Sequence, residues 1–322
     1  MKGLPLIIGL VSLLIFNACS KQEPVTVQRA DDQLFQTRKP EDIQEWLNNN
    51  RDVARAYFGT THYGQDTALV NELSKRVNDK ELRVLYDQTH ETFGTAGDLA
   101  GALSEAFTNI RANFPDFHPP KVVGIVTGFM GPDLAITDSL IVIGLDWFTG
   151  PSAKYRPDVP NYILKRYQKE YIAPAIVLAI SKRYNSEDRR DQTLLADMIY
   201  YGKSYVFAKT MLPDVPDSLV IGYSDKQLTA TYAAQEAVWA HFIDAQLLYQ
   251  TNPNIKERYL ADRPFTSEVG PKAPGGIGRW LGWRIVGKYN DDKDPGIQEL
   301  MNNANARQLF EASGYKGLAD EK

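Results

Sequence analysis

Residues 169–184 read KEYIAPAIVLAISKRY. No side chain from Ile172 to Ser181 carries a charge, while Lys169, Glu170, Lys182 and Arg183 flank the run. Pro174 lies inside it, and proline removes one backbone donor and clashes one turn back, so it belongs in the first turn of a helix. The helical composition of 161–184 therefore breaks near Tyr171, and a second helix starts at about Ala173. A helix that is apolar on nearly all sides is buried in a core or a membrane. The uncharged run is far shorter than the ~20 residues that span a bilayer. It is expected to be a central core helix packed on a sheet.

The flanking sequence supplies the rest of the fold. Upstream, KPEDIQEWLNNNRDVARAYFG opens on Pro40 and two acids, a good helix start. DTALVNELSKRV and DKELRVLYDQTHETFG repeat an amphipathic pattern. In AGDLAGALSEAFTNIRANF the apolar residues Leu99, Leu103, Phe107, Ile110 and Phe114 step by helical spacing. The period then changes. KVVGIVTGF (121–129) and SLIVIGLDWF (139–148) are β-branched runs, with turn signals and a possible third strand, Leu134 to Thr137, between them. Helices return at 192–213, 224–252 and 277–292, and two shorter ones close the chain. The fold class expected is α+β, mostly α-helical, with a small central antiparallel sheet and a buried helix.

The amino-terminal stretch MKGLPLIIGLVSLLIFNACSKQE speaks to compartment. Lys2 precedes an apolar segment, Leu4 to Phe16, too short to cross a bilayer as a mature helix. Asn17-Ala18-Cys19 follows, which reads as a secretory signal ending in a lipobox-like site. Cleavage before Cys19 would expose a thiol that can take a diacylglycerol, and several fatty chains hold a protein far better than one. Cys19 is the only cysteine, so it serves no internal disulfide. The expected division is a signal peptide over 1–18, a lipidated tether over 19–40 and a globular domain over 41–322. Net charge is −4 and there is no basic stripe, so nucleic acid is not an expected partner.

A helix buried behind an antiparallel sheet is also where zinc peptidases carry H-E-x-x-H, whose two histidines hold the metal and whose glutamate activates water. The four histidines here are His62, His90, His118 and His241, and none lies on the central run. HETFG (90–94) lacks the second histidine and reads as a chance pair on a solvated helix. His241, with Glu236 and Asp244 nearby on one helix, reads as a surface group. No cysteine chemistry remains after lipidation, no G-x-S-x-G elbow is present, and NDDKD (290–294) lacks calcium-loop spacing. No catalytic residue, metal or cofactor is expected. What stands out is a concentration of aromatic and cationic groups: Tyr200, Tyr201, Lys203 and Tyr205, and then Arg279, Trp280, Trp283, Arg284 and Tyr289. Such residues anchor interfaces, so they form the candidate ligand or partner surface. Packing at the core rim is the other reading. Gly202 and Gly282 each cost a helix about 1 kcal/mol relative to Ala, which points to a close helix approach or to a ligand against bare backbone.

Four stretches in series, SLIVIGLDWFTGPSAKY, EYIAPAIVLAI, DMIYYGKSYVFAKTMLPDVPDSLVIGYS and GRWLGWRIVGKY, resemble the GldB family of gliding-motility lipoproteins of Bacteroidetes, over nearly the whole mature chain. The resemblance implies a lipoprotein tied to the outer membrane and to the gliding and type IX secretion apparatus, with envelope proteins of that machinery as partners. It also implies a distant kinship to predicted zinc peptidases of the zincin type. Where those relatives carry H-E-x-x-H this chain has IAPAIVLAIS, and Tyr201 stands before Gly202 where they carry a glutamate. The expectation is a degenerate zincin-like scaffold that binds protein or cell wall without catalysis, lipid-anchored and facing the periplasm. The alternatives are a residual metal-dependent hydrolase using His241 and Glu236, and a peptidoglycan-binding lipoprotein.

Overall fold

The structure, a computed structural model, describes residues 24–318. The signal segment and Cys19 lie outside the described residues. A short strand, β1 (Val27–Arg29), leads into helices α1 (Ala30–Leu34), α2 (Pro40–Asn49), α3 (Arg51–Phe58), α4 (Thr67–Val77), α5 (Lys80–Phe93) and α6 (Gly97–Asn113). Strands β2 (Lys121–Ile125), β3 (Leu134–Ile136) and β4 (Leu140–Gly144) follow. The second half is helical: α7 (Asn161–Leu164), α8 (Ile172–Ser181), α9 (Leu194–Met211), α10 (Asp217–Ile221), α11 (Asp225–Ala233), α12 (Gln235–Asp244), α13 (Pro253–Leu260), α14 (Ile277–Lys293), α15 (Ile297–Asn302) and α16 (Ala306–Ser313). The class is α+β and mostly helical.

The sheet is mixed, not antiparallel as the sequence suggested. Its order is β1-β2-β4-β3, with β1, β2 and β4 parallel and only β3 antiparallel to β4. Strand β4 slots between β2 and its own hairpin partner. The physical reason is burial: β4 is buried at every position and β2 at all but its first. Strands covered on both faces read as unbroken apolar runs, which is the signature of parallel pairing. Successive residues point to opposite sides. Val123, Ile125 and Val142 pack with α1 to α4, while Val122, Ile141 and Ile143 pack with α5, α6, α8 and α9. The sheet is the middle layer between two helical layers.

Three further expectations change. Within the stretch read as a tether, Val27–Arg29 pair with β2 and Ala30–Leu34 are helical, so the folded body begins well before residue 41. A three-residue strand is too short to show an alternation. The helix expected over 224–252 is interrupted at Ala234 and ends at Asp244. Beyond it, the carbonyls of Leu248 and Gln250 accept from the N–H groups of Leu195 and Leu194. These are donors at the start of α9 that the helix itself cannot satisfy. The central rod is α9, not α8: it packs most extensively on α14 and also touches α6, α8, α10, α15 and α16. Helix α8 does lie on the core, with Ile172, Ile176, Val177 and Ile180 buried, but Ala175, Leu178 and Ala179 form a half-buried edge.

Gly202 and Gly282 mark where α9 and α14 cross. A Cβ on Gly202 would stand 2.6 Å from the Gly282 carbonyl carbon, and one on Gly282 would stand 2.5 Å from the Met198 carbonyl carbon. The glycines serve a close backbone approach, the first of the two readings offered by the sequence.

Candidate functional site

The half-buried edge of α8 forms one wall of a cleft of about 300 Å³. Arg166, Asp262 and Arg279 form its charged end. Arg166 comes from the turn after α7, Asp262 from the loop after α13, and Arg279 from the first turn of α14. Asp262 Oδ1 accepts from Arg166 Nη1 at 2.8 Å and from Arg279 Nη1 at 3.2 Å. Burial works against the Asp262 charge, but the two guanidiniums outweigh it and hold the carboxyl below its ordinary range.

Both arginines are positioned from behind. Gly222 ends α10 in the left-handed region at φ +77°, and a Cβ there would meet Arg166 Nε at 2.6 Å. The missing side chain lets Arg166 Nε donate to the Gly222 carbonyl at 3.2 Å. The Arg279 guanidinium lies over the Tyr201 ring, 4.8 Å from its centre, and its Nε is buried without a hydrogen-bond partner. At another part of the lining, the Tyr167 hydroxyl donates to Asp133 Oδ2 at 3.1 Å. Tyr205 also lines the cleft. It is buried, and among the described residues nothing hydrogen-bonds its hydroxyl. Phe148, Leu178 and Val220 supply apolar wall.

The residues singled out from the sequence do not form one surface. Tyr201 and Arg279 belong to this cleft and its support. Tyr200 and Lys203 line a different cavity of about 340 Å³, edged by Glu187, Asp188 and Asp191. Lys203 is 2% exposed and donates to the carbonyls of Ser186 at 2.6 Å and Asn303 at 2.8 Å. It ties two loops together, and burial lowers its ammonium to about 8. Trp280 is wholly buried, edge-on to Tyr232. Trp283 is buried against Tyr205, and Arg284 Nε donates to Gln235 Oε1 at 2.9 Å. Tyr289 is half-buried against the core. Helix α14 is buried on most sides, and its less buried residues Arg279 and Arg284 reach separate cavities, so residues close in sequence diverge. Arg166, Asp262 and Asp133 were missed, whereas Tyr205 was part of the aromatic concentration read from the sequence. The three missed residues are isolated in separate parts of the chain, and only their meeting is informative.

Among the described residues, one group of histidine and carboxylate side chains is close enough to hold an ion: Asp31, Asp32 and His90. His90 is partly exposed and pairs away from Glu91. Its Nε2 lies 2.8 Å from Asp32 Oδ1 and 2.9 Å from the Tyr86 hydroxyl. A cation is already provided, because Arg29 donates to both oxygens of Asp31 at 2.9 and 2.6 Å. The group forms a partly exposed ion-pair network at the end of β1. His241 Nε2 lies 3.1 Å from the Tyr259 hydroxyl, and Glu236 is exposed.

A sequence model of the family described as gliding motility protein GldB matches residues 17–317. The chain belongs to the GldB family of gliding motility proteins. Membership makes it a gliding motility lipoprotein, with a place in the cell envelope and partners within the motility machinery. No curated protein and no solved structure matches the chain. Among the described residues, no helix is long and apolar enough to cross a membrane. The family match begins before Cys19, the expected lipid attachment point, and runs to the end of the folded body.

Proposed function

We propose that this GldB-family lipoprotein is held at the outer membrane, facing the periplasm, and serves the gliding and type IX secretion apparatus by binding. Its partner is an envelope protein of that machinery, captured at the cleft between α8, α9 and α14. The observation that carries the reading is the Arg166–Asp262–Arg279 cluster beside an apolar wall. Charged fork-shaped donors next to aliphatic and tyrosine surface are a recognition chemistry. Binding without catalysis is supported by the wall that α8 offers. Ala175 and Leu178 carry neither nucleophile nor transferable proton. In the degenerate zincin reading, this edge occupies the place of lost metal ligands. Aliphatic side chains there avoid the high cost of burying unpaired ionisable groups.

The test is a photo-crosslinking residue placed at Leu178 in living cells, with Glu45 on the exposed face of α2 as control. An adduct with a motility or secretion component from position 178, absent from position 45 and lost when Arg166 and Arg279 are both changed to Met, is the expected result. No adduct from position 178, or one indifferent to both arginines, would remove the cleft as the partner site.

A further inference from the structure

We infer that the cleft captures one free carboxylate carried by an apolar residue, namely the C-terminal residue of a polypeptide. This rests on the reading of the cleft as a binding site and names what it binds. At the charged end, one carboxylate faces two guanidiniums, both bonded to the same oxygen of Asp262. At that end one positive charge is left over, with Asp133 balancing it only farther along the lining. That charge resides on planar groups whose donors match a carboxylate and which stay charged at any ordinary pH. Arg166 spends Nε on Gly222 and Nη1 on Asp262, while Arg279 spends Nη1 on Asp262. Each retains further N–H donors. The Tyr201 ring braces the Arg279 guanidinium from below, so less side-chain freedom is left to lose on binding.

The other lining residues limit what carries the carboxylate. Leu178, Phe148 and Val220 form an apolar wall, which favours an aliphatic or aromatic side chain over a sugar. The free hydroxyl of Tyr205 adds a donor or acceptor within the same lining. Asp133 and Asp262 give the cleft two negative charges of its own. They tolerate a single incoming charge on the arginines and repel a second, which disfavours a phosphate dianion. Asp133 already accepts from the Leu134 N–H and the Tyr167 hydroxyl, one on each oxygen, and each oxygen keeps a further lone pair for a peptide N–H. A space of about 300 Å³ admits the end of a chain and not a folded segment.

The experiment is calorimetric titration of the purified full chain with N-acetyl-alanyl-leucine as the free acid and as the C-terminal amide. A D-alanine-terminated cell-wall stem peptide and inorganic phosphate form the other arms. The acid is expected to bind at least about tenfold more tightly than the amide, the loss of one charge-assisted contact. Arg166→Met and Arg279→Met each weaken the acid by a similar factor. Asp262→Asn tightens it, because a competing charge is gone; an unfolded variant would not gain affinity. Equal binding of acid and amide, no binding of either, or tighter binding of the stem peptide or phosphate would each overturn the inference. If the Leu178 adduct forms while acid and amide bind alike, the ligand class falls and the cleft as a partner site stands. If the adduct is missing as well, both fall.

Discussion

Replacing Gly282 by Ala tests whether the α9–α14 crossing holds the helical half together. The new Cβ would sit 2.5 Å from the Met198 carbonyl carbon, where about 3.5 Å is the normal approach. The helices must part by about 1 Å, because the obstacle is backbone and cannot rotate away. A gap of that size forfeits roughly a quarter to a half of the dispersion contact it opens. Met198, Tyr205, Trp283 and Val286 meet at or beside the crossing. At about 2 kcal/mol for each buried side chain, the loss is about 2–4 kcal/mol. Alanine returns about 1 kcal/mol of helix propensity, leaving a net destabilisation of about 1–3 kcal/mol. Gly287 is the internal control: it lies in the same helix, and a Cβ there meets nothing within 4 Å. Gly287→Ala is expected to gain up to about 1 kcal/mol. Urea unfolding followed by circular dichroism reads both variants as midpoint shifts at constant slope. The reasoning is refuted if Gly282→Ala matches or exceeds the wild type, or if the two variants shift in the same direction.

Other substitutions probe the remaining polar joints. Asp146 is wholly buried, and its Oδ2 accepts from the N–H groups of Thr127, Gly128 and Phe129 at 3.0, 2.7 and 2.9 Å. Asp146→Ala leaves those donors unpaired and should cost about 3 kcal/mol or more by thermal or urea unfolding; a loss under about 1 kcal/mol would mean the loop does not need this anchor. Arg29→Met leaves the fully buried Asp31 unpaired and should cost about 3–5 kcal/mol near neutral pH. Burial raises the Asp31 carboxyl, so the folded state takes up its proton first, and the deficit should shrink as pH falls; a deficit that grows in acid would contradict this. Lys203 has the opposite sign. Its folded value of about 8 lies below the ordinary lysine value of about 10.4, so between those limits the unfolded chain holds the extra proton and stability rises with pH. Relative to Lys203→Met, the wild type should gain stability between pH 8 and 10, read as the difference in urea midpoints; a flat difference would count against a buried, destabilised ammonium.

Much of this was legible in the chain because it is local. Helical spacing at Leu99, Leu103, Phe107 and Ile110 belongs to neighbours on one element, and Pro174 acts on its own first turn. The interior glycines signalled close approach through an intrinsic cost. The candidate site was less legible. Tyr200 and Tyr201 are adjacent, yet successive residues of a helix point about a quarter-turn or more apart: Tyr200 lines one cavity, while Tyr201 lies under the Arg279 guanidinium at the other. Trp280 and Trp283 looked like interface anchors and are core, since composition does not say which side of a helix is covered.

By itself, the sequence determined the mostly helical class, the break before α8, the two central strand runs and the family, each being a property of contiguous residues or of their order. Only the tertiary structure decided that β2 and β4 run parallel, that α9 is the central rod, and that Arg166, Asp262 and Arg279 share one oxygen. Strand direction depends on which edge a returning segment finds, and a cluster assembled from three distant segments leaves no periodic trace in any of them. Pairing and convergence are properties of the closed chain in space, paid for by the burial of both faces of the sheet.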